Sequence, residues 1–171
     1  MTDPDYDESF KKGCDMAERG EFEEAARWFS RALDAKPGDA KAFLYKGRAI
    51  AELKRYPEAI WHYDKALELG LSNVDVLPYK GLSLVFMDRH EEAIVCFDRV
   101  FDEDPTSYHM LLYKGISLAE MGRHEEAIEC HDMALEVRSD HPIHLYRKAR
   151  SLLVLGRQHE SISCFDGVLK T

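Results

Sequence analysis

No run of apolar residues in this chain of 171 residues approaches the ~18 needed to cross a bilayer, so no membrane span is expected. The opening Met1-Thr2-Asp3-Pro4-Asp5 is acidic and polar, unlike a secretory signal, which makes the cytoplasm the expected compartment. A basic surplus is also missing: 23 Lys and Arg stand against 32 Asp and Glu, a formal net charge of −9. Nucleic-acid binders need a positive stripe to displace counterions from phosphates, so nucleic acid is not an expected partner. Strand-like alternation of useful length is absent, as are a glycine-rich phosphate loop, a zincin helix and a nucleophile elbow. No catalytic residue, metal or cofactor is expected, and the chain does not read as an enzyme.

Cysteine is scarce, with four in all. Cys96, Cys130 and Cys164 stand 34 residues apart, in equivalent places of successive units. Helices pack ~8–10 Å apart, whereas a disulfide needs Cα atoms within ~7 Å, so reduced thiols are expected. The eight histidines invite a metal reading that their spacing does not support. His90 and His124 take the place of Phe22 and Tyr56, and His131 that of an aromatic ring, which suits partly buried packing. His124 and His131, seven residues apart, would lie ~10 Å apart along one helix, too far to share an ion. His109, His141 and His144 flank repeat junctions without cysteines at zinc spacing.

What is present is a period. Gly13, Gly47, Gly81 and Gly115 lie 34 residues apart, with Ala149 next in the series. Ala25, Ala59, Ala93, Ala127 and Ser161 follow the same interval, as do Phe29, Tyr63, Phe97, His131 and Phe165. A gapless period of this length means one supersecondary unit copied five times and stacked into a solenoid. Within a unit, Leu77, Leu84 and Met87 mark one amphipathic helix face, and Ala93, Ile94, Phe97, Val100 and Phe101 mark a second. Polar breaks such as Lys54-Arg55 and Gly122-Arg123 separate the two, so each unit holds two antiparallel helices. The recurrent glycines suggest a place where another helix comes too close for a side chain, with Ala25, Ala59, Ala93 and Ala127 as the small partners of that crossing. Pro37 and Pro105 should stop second helices, and Gly70 should cap one in the left-handed region. Asp75 is expected to cap the helix that follows, which would place Pro78 in its first turn. The Glu pairs 91–92 and 125–126 open second helices, at the positive end of the dipole.

Gly-x-x-(apolar), then Ala-x-x-x-(aromatic), then Ala or Val, then Pro, all at this period, resembles the tetratricopeptide repeat over about residues 6–171. The resemblance implies an all-α, right-handed superhelix of antiparallel helix pairs. A short acidic leader would occupy residues 1–5, and the repeats about 6–39, 40–73, 74–107, 108–141 and 142–171. Two departures stand out. The leading aromatic of the motif appears only as Phe43, and Lys replaces the leucine that usually precedes the glycine in all five units.

The resemblance also implies a role: a non-catalytic scaffold for protein–protein interaction, holding an extended or short helical segment in a groove lined by the first helices. Carried over by register, that groove holds Tyr45, Arg48, Tyr79, Leu82, Phe86, Tyr113, Ile116, Tyr146, Arg147 and Arg150, with Lys11, Phe10, Leu44, Leu112 and Glu120 beside them. Family members that grip the acidic tails of heat-shock chaperones use a clamp of Lys and Asn. Phe10, Cys14 and Tyr45 stand in those places here, so that function is not expected. The alternatives are a self-associating building block, or a regulatory portion of a longer enzyme or signalling protein.

Two further expectations come from the residues. Lys12, Lys46, Lys80, Lys114 and Lys148 recur in register, as do Asp64, Asp98, Asp132 and Asp166, with Ser30 in the first unit. A charge copied into an inward-leaning surface needs a partner, so each Asp should pair with the Lys of the next repeat: Asp64 with Lys80, Asp98 with Lys114, Asp132 with Lys148. Solenoid end units need a polar outer face; Ser9, Lys11 and Lys12 supply one at the start. Ile162, Phe165, Val168 and Leu169 do not at the other end, which points to self-association there or to a longer array.

Overall fold

The computed structural model describes residues 4–170, and every regular element among them is an α-helix. Helices α1 (Pro4–Glu18), α2 (Phe22–Ala35), α3 (Ala40–Glu52), α4 (Tyr56–Glu68) and α5 (Asn73–Val85) belong to one compact unit, Met1–Met87. Helices α6 (His90–Glu103), α7 (Met110–Glu120), α8 (His124–Val137), α9 (Pro142–Val154) and α10 (Gln158–Val168) belong to a second, Asp88–Thr171. In each unit consecutive helices pack against one another, and alternate ones also touch: α1 with α3, α3 with α5, and α7 with α9. The first three residues lie outside the described residues; Pro4 and Asp5, expected in an acidic leader, open α1.

Sequence chemistry sets the helix ends. Between the helices of each pair one residue takes positive φ: Gly20, Gly122 and Gly156, but Lys54 (φ 60°) and Asp88 (φ 55°) in the other two. A side chain in that region costs ~1–2 kcal/mol, and these two turns accept it. An arginine follows directly in four of the five turns and grips a glutamate in the first turn of the next helix: Arg55–Glu58, Arg89–Glu92, Arg123–Glu126 and Arg157–Glu160. Gly70 caps α4 at φ 92°, as its sequence context suggests. The start of α5 differs from expectation. Ser72 is its cap, accepting from the Asp75 N–H at 3.2 Å, while its hydroxyl donates to the Asp75 carboxylate at 2.6 Å. This reciprocal pair starts the helix three residues earlier than an Asp75 cap would, so Pro78 lies inside α5 rather than in its first turn.

The recurrent glycines make room for rings, not for the alanines. A Cβ on Gly13 would fall 2.6 Å from the Phe29 ring, one on Gly47 2.7 Å from Tyr63, and one on Gly115 2.6 Å from His131. Each of those rings is buried, which is worth ~1.5–3 kcal/mol apiece for a phenyl side chain. The alanines expected at this crossing are also buried, but a second-helix ring is what Gly13, Gly47 and Gly115 meet. On its other side the ring meets the next repeat's tyrosine: Tyr45 stands 5.8 Å from Phe29, Tyr79 6.3 Å from Tyr63, and Tyr113 6.0 Å from Phe97. Ser9 is buried as well, holding the place of the buried Leu77 and Leu111, so it offers no polar outer face.

The lysine series finds its carboxylates. Lys80 meets Asp64 at 2.5 Å, Lys114 meets Asp98 at 2.5 Å, and Lys148 pairs with Asp132. In each case the lysine stem is more covered than the carboxylate, so the chain packs while the ammonium reaches outward. Lys46 has Ser30 where the others have Asp, and the Ser30 hydroxyl donates to the Ala26 carbonyl instead. Burial then pushes the Lys46 ammonium below its ordinary pKa.

Candidate functional site

In the first unit, α1, α3 and α5 present two clefts that share Arg48 and Glu52 on α3. One, of about 460 Å³, is lined by Cys14, Glu18, Phe22 and Tyr45 besides the shared pair. The other, of about 390 Å³, is lined by Tyr56, Tyr79, Leu82 and Phe86 besides that pair. Helical spacing explains the grouping: Tyr45, Arg48 and Glu52 fall at i, i+3 and i+7, on one face of α3. Phe86 is 66% exposed and stacks on Tyr56 with ring centroids 5.1 Å apart and planes at 10°. The Arg48 guanidinium lies over two rings, 5.2 Å from the Tyr45 centroid and 4.6 Å from that of Tyr79. Burial, with Asp15 and Glu18 nearby, raises the pKa of the Cys14 thiol, which suits a packing group and not a nucleophile.

The second unit has a smaller cleft, about 220 Å³, between α7, α8 and α9. Its lining includes Ile116 and Glu120 of α7, His124 of α8, and Arg147, Arg150 and Val154 of α9. His131 also reaches this cleft, and its Nδ1 stands 3.2 Å from Nδ1 of His144, with both rings buried. One nitrogen donates and the other accepts, which requires the accepting imidazole to be neutral and forbids both rings from being protonated together. Burial foremost, then the neighbouring His144, Arg147 and Lys148, hold His131 far below the ordinary imidazole range. Burial and His141, whose ring lies 4.9 Å away, do the same to His144. Among the described residues no group of three or more His, Cys, Asp or Glu is placed to hold a metal ion. The four cysteines are free thiols, and burial lifts Cys130 to about 11.

The tetratricopeptide repeat model matches residues 10–73 and 80–136 of the chain. The chain belongs to the tetratricopeptide repeat family. Among solved structures it is similar to MamA from Desulfovibrio magneticus RS-1, at 18% identity over 99% of this chain and 96% of that one, with a TM-score of 0.93. MamA AMB-1 aligns at 22% identity over 96% and 90% of the two chains, with a TM-score of 0.81. YrrB, described as a TPR protein with an unusual peptide-binding site, aligns at 20% identity over 95% and 84%, with a TM-score of 0.80. At these identities the likeness establishes a shared all-helical solenoid fold and nothing finer. No curated protein matches the chain in sequence. Tetratricopeptide proteins are protein–protein interaction scaffolds, and no described helix here is long and apolar enough to cross a membrane.

Within this tetratricopeptide array the expected groove residues divide. Tyr45, Arg48, Tyr79, Leu82 and Phe86 come together in the first unit, and Ile116, Arg147 and Arg150 in the second. Tyr113 is partly covered and stacks on Phe97, whereas Tyr146 is exposed and meets Phe165 edge-on at 6.0 Å. Leu44 leaves the groove set: it is buried in the core with Tyr63 and Val76. At the other end Ile162 and Leu169 are exposed, while Phe165 and Val168 are half-buried. Register reasoning missed Tyr56, Phe22 and His124 as cleft residues. All three open second helices at one position of the 34-residue period, a signal read only as helix packing.

Proposed function

We propose that the chain is a non-catalytic scaffold that takes an extended or short helical segment of another protein in the clefts of its first helices. The observation that supports this most is the first unit's cleft of about 390 Å³. There an aromatic pair, the partly buried Tyr56 and the exposed Phe86, adjoins Tyr79, Leu82 and a guanidinium. Rigid aromatic area beside one fixed charge is the makeup of binding hot spots. The tyrosines serve two ends at once, covering a core ring and lining a cleft.

The test is a comparative pull-down from native lysate with three baits: the unaltered chain, Tyr79→Ala/Phe86→Ala, and Trp61→Ala as an exposed aromatic outside the clefts. Partners should be lost from the second bait and kept by the third. Partners retained by the second bait, with its helicity and melting intact, would refute the cleft reading. Self-association through α10 is a second reading, favoured by the 58% exposure of Ile162 and 85% exposure of Leu169. Sedimentation that shows a single monomer over a wide concentration range would remove it.

A further inference from the structure

Arg27, Arg55, Arg89, Arg123, Arg138 and Arg157 each hold a carboxylate at 2.5–3.4 Å. Arg48 holds none within 4.0 Å among the described residues, although Glu52 stands one turn along the same helix and lines the same clefts. Its guanidinium is instead held by the faces of two tyrosines. Stacking orients and partly dries the guanidinium plane while leaving its charge uncancelled, and the N–H groups lie in that plane, where a carboxylate accepts two of them. In a chain of net charge −9, such a cation between rings, beside the shelf of Leu82, Phe86 and Tyr56, is complementary to one kind of partner.

We infer that the first unit recognises a protein segment in which an Asp or Glu stands next to a large apolar or aromatic residue. The carboxylate takes a bidentate pair of hydrogen bonds from Arg48, and the apolar side chain lies against Phe86 and Leu82. This rests on the cleft reading above and gives the partner its chemistry. The second unit's Arg147 and Arg150 line a smaller cleft that also holds Glu120 and His124, and it lacks the tyrosine pair that fixes Arg48.

Selection of a phage-displayed library of random peptides against the full-length chain tests the assignment, followed by titration of the selected peptides. The expected pool is enriched in Asp or Glu adjacent to Phe, Tyr, Trp or Leu. Arg48→Gln should weaken the selected peptides by at least about tenfold, and Arg48→Lys by several-fold, because it keeps the charge and loses the planar fork. Selection against Arg48→Glu should return Lys or Arg in the same place. Far-UV circular dichroism confirms that each variant is folded, and Arg48→Lys carries the test if the charge reversal is not. Peptides that require Phe86 and Tyr79 but show no acidic enrichment, and bind Arg48→Gln unchanged, would overturn this inference and leave the cleft reading standing. Peptides indifferent to both Arg48→Gln and Phe86→Ala would sink both. An acidic preference that survives Arg48→Gln but disappears with Arg147→Gln/Arg150→Gln would place the recognition in the second unit and overturn the assignment to Arg48.

Discussion

Tyr63 in the first unit and His131 in the second hold the same place two 34-residue periods apart, each against a glycine, yet different forces keep them there. Tyr63 lies between Gly47 and the Tyr79 ring with its hydroxyl bonded to Ser83, so no partner that titrates near neutral pH is needed to keep it there. His131 lies against Gly115, but its Nδ1 is engaged by His144 and Arg147 stands near enough to oppose its protonation. The helix starts differ in parallel. Asp39 accepts from the Ala42 N–H at the start of α3 and Ser72 caps α5, whereas His109 and His141 give α7 and α9 no side-chain cap. Where a ring is replaced by a buried imidazole, burial disfavours its charged form, and stability becomes a function of pH. The repeat preserves the backbone and lets each unit find its own way to fill it.

Acid should separate the two units most strongly. His131 and His144 have folded-state pKa values depressed below the ordinary 6.5, while the unfolded chain returns both to that value. Above pH 6.5 neither state is protonated and the second unit has its full stability. As the pH falls from there towards the depressed values, the unfolded chain binds protons that the native unit refuses. Each excess proton costs up to about 1.4 kcal/mol per pH unit. The first unit carries one such group, His62, which burial and Lys46 push down to about 4. Hydrogen exchange followed between neutral pH and pH 4 should show the second unit opening first. The variant His131→Phe/His144→Met, with residues that equivalent places already hold in Phe97 and Met110, should bring its acid response down to that of the first unit or below. Equal acid sensitivity of both units in the unaltered chain would break the comparison.

The glycines come next in size. Gly47→Ala and Gly115→Ala each drive a methyl group to under 3 Å from a buried ring, and overpacking of this kind costs ~1–3 kcal/mol. Ala149 occupies the equivalent place in the last repeat, where Phe165 is only half-buried. A ring with room to retreat should tolerate the methyl, so Ala149→Gly should gain nothing in stability. Urea melts of the three variants check this, and an unchanged midpoint for Gly47→Ala would show that Tyr63 is free to move.

Smaller effects sharpen the contrast in caps and charges. Ser72→Ala should cost ~1 kcal/mol through the loss of an N-cap. His141 has the extended backbone that a cap needs (φ −71°, ψ 109°), so His141→Asp should add a few tenths to ~1 kcal/mol to the second unit. The smallest change expected is a gain. Ser30→Asp gives Lys46 the carboxylate that Lys80, Lys114 and Lys148 already have, worth up to ~1 kcal/mol. Thermal melts order these variants, and a destabilised Ser30→Asp would mean that its hydroxyl bond to Ala26 matters more than the ion pair.

The ion pairs were legible in one sequence because internal repetition acts as its own alignment. Lys and Asp recur together, and Ser30 marks the unit where the pairing lapses. Tyr45, Arg48, Tyr79, Leu82 and Phe86 were expected in a groove because the family resemblance, carried over by position, puts those places of the first helices there, and they line the clefts of the first unit. The His131–His144 contact was not legible, because it joins places 13 residues apart that carry histidine together in no other repeat. Nor was the identity of the group against each glycine: a period shows that a crossing is tight, not which atoms fill it. Leu44 and Ser9 were misplaced because an amphipathic stripe has edges, and which edge residue is covered depends on the neighbouring helix. Ser72 and Asp75 were competing caps, and the choice fell to the side chain that could bond reciprocally.

By itself the sequence determined the helix pairs, their period, the family and the pairing of lysines with aspartates, since all of these follow from spacing along the chain and from the cost of an unpartnered charge. The tertiary structure alone decided that second-helix rings lie against the glycines, that two imidazoles share a buried contact, and that Arg48 is held by tyrosines instead of by Glu52. Those outcomes depend on which side chains from different helices reach the same few ångströms of space, and close packing admits only one arrangement there.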